Sequence, residues 1–141
     1  MKLFTGLFLV FLAAYVMGVF SFDMDRRLID DVVLVREGDS RFLQLEFSAP
    51  VRLIGSYPEA MGDIAQVKLS VIALDRFDEN VSLLNKFVGS EEGKEIHMTH
   101  MRYEGNVPGG PFLVMKFSKH VHWKIIEGEG LLGMQIEIKE S

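Results

Sequence analysis

The chain has 141 residues, 48% of them hydrophobic and 25% charged, with no cysteine; this suits one small domain and leaves little for a second core. Its formal charge is −5, and beyond residue 22 there are 14 basic against 20 acidic side chains, too few cations for a nucleic-acid or acidic-lipid binder. Without cysteine there is no disulfide scaffold, thiol nucleophile, Cys-ligated zinc or lipidated N-terminal cysteine.

Residues 3–22 carry no charge and hold five of the eleven phenylalanines. Twenty such residues match the length of a helix that crosses a bilayer core. Residues 1–22 are therefore expected to be a signal peptide or a signal anchor. Lys2 gives a weak basic start and Val19 with Ser21 a poor cleavage site, while Arg26 and Arg27 follow the run, so both alternatives stay open.

Asp31 to Arg36 is the first expected strand, closed by the turn Glu37-Gly38-Asp39. In the next, Leu43, Leu45 and Phe47 alternate with Gln44, Glu46 and Ser48, the period of a half-buried strand. Val51 to Ser56 follows, then a turn at Tyr57-Pro58. Val67, Leu69 and Val71 alternate with Lys68 and Ser70. The pattern then predicts a helix over Asp78 to Gly89, capped by Asp78, with an apolar stripe of Val81, Leu84 and Val88 and a stop at Gly89. Ser90 to Glu95, SEEGKE, reads as a solvated loop. Strands are expected again at Ile96 to Tyr103, from Phe112, with Leu113, Met115 and Phe117 inward and Val114, Lys116 and Ser118 outward, at Val121 to Ile126, and at Met134 to Lys139 with Met134, Ile136 and Ile138 inward. Pro108-Gly109-Gly110-Pro111 and Glu127-Gly128-Glu129-Gly130 supply the turns.

The pattern repeats. FLQLEFSAPVRL (Phe42 to Leu53) and FLVMKFSKHVHW (Phe112 to Trp123) share Phe, Leu, Phe, Ser and Val at the same places, and Glu-Gly precedes each. Two units, residues 28–75 and 96–140, each offer an apolar face that the other can cover. The expected fold is an all-β, two-sheet antiparallel sandwich with internal duplication and one short linking helix, behind the N-terminal hydrophobic helix.

FLQLEFSAPVRL, MRYEGNVPGGPFLVMKFSKHV (Met101 to Val121) and MQIEIK (Met134 to Lys139) together resemble the AMIN domain of bacterial cell envelopes. The resemblance spans residues 28–140. It implies a periplasmic sandwich of two related sheets, found in peptidoglycan amidases and type IV pilus secretins, with a non-catalytic role: binding peptidoglycan or localising an envelope complex. Lys119-His120 in the second unit stands where the first has Ala49-Pro50, a departure from the repeat. No enzyme or secretin module follows within the sequence, so the domain is expected to act through its own surface or a partner. The alternative is an accessory subunit of a pilus, flagellar or secretion machine, held at the inner membrane by residues 3–22 if uncleaved and offering edge strands such as Asp31 to Arg36 to a partner.

Candidate ligand-binding residues are Arg52, Arg102, Tyr103, His122 and Lys124, since basic and aromatic groups on an open sheet pair with carboxylates and stack on sugars. Alternation turns Trp123 inward with Val121 and Ile125, and leaves Arg52 and His122 outward at equivalent places of the two units. His97, His100, His120 and His122 lack a defined third ligand, so no metal is expected. Ser48 and Ser118 follow strand phenylalanines without a Gly-x-Ser-x-Gly setting, and no catalytic set or cofactor site is expected.

Overall fold

The computed structural model describes residues 27–72 and 80–141. The hydrophobic run at residues 3–22 lies outside them, as does Asp78. Among the described residues no helix is long and apolar enough to cross a membrane.

Seven strands and two short helices follow one another: β1 (Ile29–Glu37), β2 (Ser40–Phe47), β3 (Val51–Tyr57), β4 (Met61–Val71), α1 (Val81–Val88), α2 (Glu91–Glu95), β5 (Met98–Glu104), β6 (Phe112–Glu127) and β7 (Gly133–Glu140). A 3-10 turn at Glu129–Leu131 joins β6 to β7. The fold is mostly β, and all ladders are antiparallel.

The strands form one continuous sheet, ordered β1-β2-β7-β6-β4-β3 with β5 also on β6, rather than two separate four-stranded sheets. The reason lies in β6. Ser118-Lys119-His120 offers no turn, so where two strands were expected there is one of 16 residues that cannot fold back on itself. Its first half pairs with β5 and β4 and its second with β7, while β4 still touches it at Gly62 and Met61. Two sectors result: β1-β2-β7-β6 and β5-β6-β4-β3. Each takes two strands from each sequence unit, because β4 lies beside β6 and β7 lies beside β2. Ser48 N–H donates to Leu28 O and Ser118 N–H to His97 O, both at 2.8 Å, so the two aligned serines hold corresponding strand ends.

One core serves both sectors. Leu43, Leu45, Phe47, Leu113, Met115, Phe117, Met134, Ile136 and Ile138 are all buried in a single cluster, as their alternation predicts. Val67 and Leu69 join it, whereas Val71 is only half-buried. Trp123 is buried, stacks on Phe117 with ring centroids 6.4 Å apart, and directs Nε1–H to Ser56 Oγ at 3.4 Å. Val114 points outward yet is only 8% exposed, because Arg102 and Gln66 flank it in its row.

Helix α1 begins at Val81 after Asn80, not at Asp78. Its buried face is Leu84 and Phe87, flanked by Leu83 and Val88; Val81 is exposed, since the stripe that meets the core runs i, i+3 from Leu84. Gly89 ends the helix in an ordinary right-handed conformation. SEEGKE is no loop: Glu91–Glu95 form α2, with Ser90 Oγ accepting from Gly93 N–H at 3.2 Å and two glutamates in the first turn, the standard stabilisers of a helix start. Gly93 is required here, since a Cβ would stand 2.5 Å from Phe87 O and 2.8 Å from Val88 O.

Candidate functional site

Sheet registers decide which candidate side chains share a surface, since cross-strand partners point to the same face. Arg52 pairs with Ser70 and Arg102 with Val114, so both project from the outer face of the β5-β6-β4-β3 sector, and both are exposed. His122 pairs with Lys139 and, on its other side, with Met61 of β4, and Lys124 pairs with Glu137, in the second half of β6. They are exposed too, but they do not meet Arg52 and Arg102. Arg52 and His122 both point outward, but Arg52 stands on edge strand β3 and His122 on β6 between β7 and β4.

Tyr103 does not belong to the set. It is 4% exposed and part of the core, opposite Leu113. Adjacent strand residues point to opposite faces, so with Arg102 outward its neighbour must turn in.

Two further cations, Lys68 and Lys116, complete the surface around Arg52 and Arg102. Lys116 lies beside His100 and Ile64 in one row; Arg102, Val114, Gln66 and Tyr57 form the next; Glu104, Phe112 and Lys68 form the third; Ser70 and Arg52 lie beyond. Lys116, Arg102, Lys68 and Arg52 therefore form a band with one member on each of four strands. Sheet spacings of about 4.8 Å between strands and 3.4 Å per residue put neighbours along this band roughly 8–12 Å apart. Tyr57 is exposed and Phe112 half-buried on the same face, and Glu104 is the one carboxylate in these rows.

Pairing separates this band from most other cations. Arg36 and Arg41 bind Glu95, Lys94 meets Glu91, Lys119 meets Glu140 and Lys139 meets Glu137. Among the described residues, no ion pair forms at Arg52, Lys68, Arg102 or Lys116. An acidic domain thus gathers unneutralised positive charge on one sheet face. Lys68 and Lys116 were visible as outward residues; what the sequence withheld was the β4-β6 pairing that sets them beside Arg102.

The remaining ionisable clusters are internally satisfied. Glu95 accepts from Arg36 Nε at 2.8 and 2.9 Å and from Arg36 Nη2 at 2.7 Å, and also from Arg41. The Arg36 hydrogen bonds hold its carboxyl below the usual carboxylate range. Glu140 is lowered by its hydrogen bond to His97 and then by Lys119. His97 takes a left-handed backbone at φ 61° in the junction from α2 to β5. Among the described residues no three His, Asp or Glu side chains converge as metal ligands. Ser48 Oγ donates to Arg27 O at 2.7 Å, tying down the entry to β1.

No protein-family model, curated protein or solved structure matches the chain.

Proposed function

We propose that the chain is a non-catalytic, AMIN-like domain of the bacterial envelope that binds peptidoglycan through the outer face of the β5-β6-β4-β3 sector. The observation that carries this reading is the unpaired cationic band of Lys116, Arg102, Lys68 and Arg52 on a chain of net charge −5. A linear polymer bearing stem-peptide carboxylates suits a band of spaced cations. Guanidinium groups take carboxylates in two-point contact, and Tyr57 and Phe112 offer ring faces to sugars. The AMIN-like strand pattern, the two sectors that mix the sequence units, and the shared core support the fold side of the reading, a duplicated sandwich spanning residues 28–140 whose sectors join through β6. The apolar run at residues 3–22 supports export to the periplasm, with or without retention at the inner membrane.

The test is a pulldown of the full-length protein in detergent with purified sacculi, against a control β-domain of similar charge. Enrichment that weakens with salt is expected. Lack of enrichment, or undiminished enrichment of an Arg52→Glu, Lys68→Glu, Arg102→Glu, Lys116→Glu variant, sinks the cell-wall reading.

A further inference from the structure

We infer that the edge of β1 left unpaired among the described residues, with the cleft between it and α1, binds an extended peptide segment of a partner protein as an added strand. The inference is independent of peptidoglycan binding, since the site lies on the other sector from the cationic band.

The phase of β1 fixes which backbone groups face the cleft. Oriented with its NH2 toward Ile29 O, the Asn80 carboxamide donates to that oxygen at 3.2 Å and accepts from Ile29 N–H at 2.9 Å. Ile29 therefore directs both groups away from β2. Val32 N–H donates to Asp31 Oδ1 at 2.9 Å, so it also points outward. The bulge between Ile29 and Asp31 keeps these two residues in the same phase. Alternation then turns the N–H and C=O of Leu34 and Arg36 outward as well. Among the described residues none of these four groups has a backbone or side-chain partner, and no strand pairs with that edge of β1.

The two edges beside α1 are unlike. Helix α1 packs closely along β5, the counterpart of β1 in the other sector, and only loosely on β1. On the β1 side a cleft of about 350 Å³ remains, with Val32, Leu34 and Arg36 on one wall and Leu83 and Phe87, beside Lys86, Ser90 and Glu92, on the other. That volume lies within the range of small binding clefts, about 300–1,000 Å³. The open edge from Val32 to Arg36 spans roughly 16 Å, enough for about five residues of an extended chain.

The occupant follows from these walls. One wall asks for alternating amide donors and acceptors, which a β-strand supplies, and Asn80 already provides one such donor-acceptor pair at Ile29. The other wall offers Leu83 and Phe87 to apolar side chains and Lys86, Ser90 and Glu92 to polar ones. A partner segment with aliphatic residues at alternate positions satisfies both, its apolar set turned toward Leu83 and Phe87.

The test uses full-length 15N-labelled protein in detergent and a capped peptide of alternating valine and threonine. Binding is expected to shift the amides of Val32 to Arg36 and to slow exchange at Leu34 and Arg36 by about ten-fold or more. The same peptide N-methylated at alternate amides keeps its side chains but cannot pair, and should fail. Leu83→Glu should also fail, with the amide spectrum outside the cleft unchanged. Leu34 and Arg36 amides already protected without peptide, concentration-dependent protection through self-association, or equal binding of the N-methylated peptide would each overturn the inference. Failure here leaves sacculus binding untouched, and failure on sacculi leaves this site untouched.

Discussion

Glu95 on α2 grips the guanidinium of Arg36 on β1 through both of its oxygens, tying the acidic helix to the far end of the first hairpin. Arg41 on β2 joins the same carboxylate, so one exposed glutamate bridges two strands and a helix.

The pair makes stability depend on acid in a defined direction. Hydrogen bonds from Arg36 depress the folded Glu95 below its unfolded value. As pH falls, the unfolded chain takes up the proton first, so the contribution is complete above the ordinary carboxylate range and is lost as pH drops through the folded value. Urea midpoints measured from neutral to acid pH should fall less steeply for Glu95→Gln than for the parent. Added salt should shrink the difference at neutral pH, because these groups are solvent-exposed.

Gly93 should tolerate no side chain. The Cβ of Gly93→Ala would press on the carbonyls of Phe87 and Val88, which are backbone atoms and cannot rotate away. Separation of α2 from α1 should cost about 1–3 kcal/mol, in line with other overpacking changes. Thermal unfolding measures it directly. An unchanged midpoint would mean that α2 does not sit against α1 as described.

Arg102 and Tyr103 are neighbours that should fail differently. Arg102→Ala removes an exposed side chain and should leave the unfolding midpoint unchanged while weakening sacculus binding by up to about five-fold. Tyr103→Ala empties a core position and should cost about 3–5 kcal/mol. Denaturation and pulldown on the same two variants separate the effects.

Asn80 is the one buried polar or charged residue among those described, at 1% exposure. Asn80→Leu leaves the N–H and C=O of Ile29 without the carboxamide and should cost about 1–3 kcal/mol. Amide exchange at Ile29 should accelerate far more than exchange at Leu45, which lies in a central strand.

Inward and outward faces were legible from alternation alone. Leu43, Leu45, Phe47, Leu113, Met115, Phe117 and Trp123 are buried where period two places them. Tyr103 was legible by the same rule, since it cannot share a face with Arg102. Pairing was not legible: the absence of a turn at Ser118-Lys119-His120 hints that β6 runs on, but nothing local says that β4 will lie beside it. The candidate surface depended on that pairing, which is why Lys68 and Lys116 joined Arg52 and Arg102 while His122 and Lys124 lie farther along β6, beside β7. α2 was hidden differently. A five-residue helix has almost no periodicity, and its signal was Ser90 followed by Glu91 and Glu92.

The placement of β7 beside β2 also sets a timetable. That ladder joins residues 41–46 to 133–138, so the middle of the sheet closes only when nearly the whole chain is present. Contacts this distant in sequence make folding slow relative to helical proteins of similar size. Until β7 arrives, β2 and the second half of β6 each keep a bare edge, and any chain stopping short of residue 133 would keep both for good.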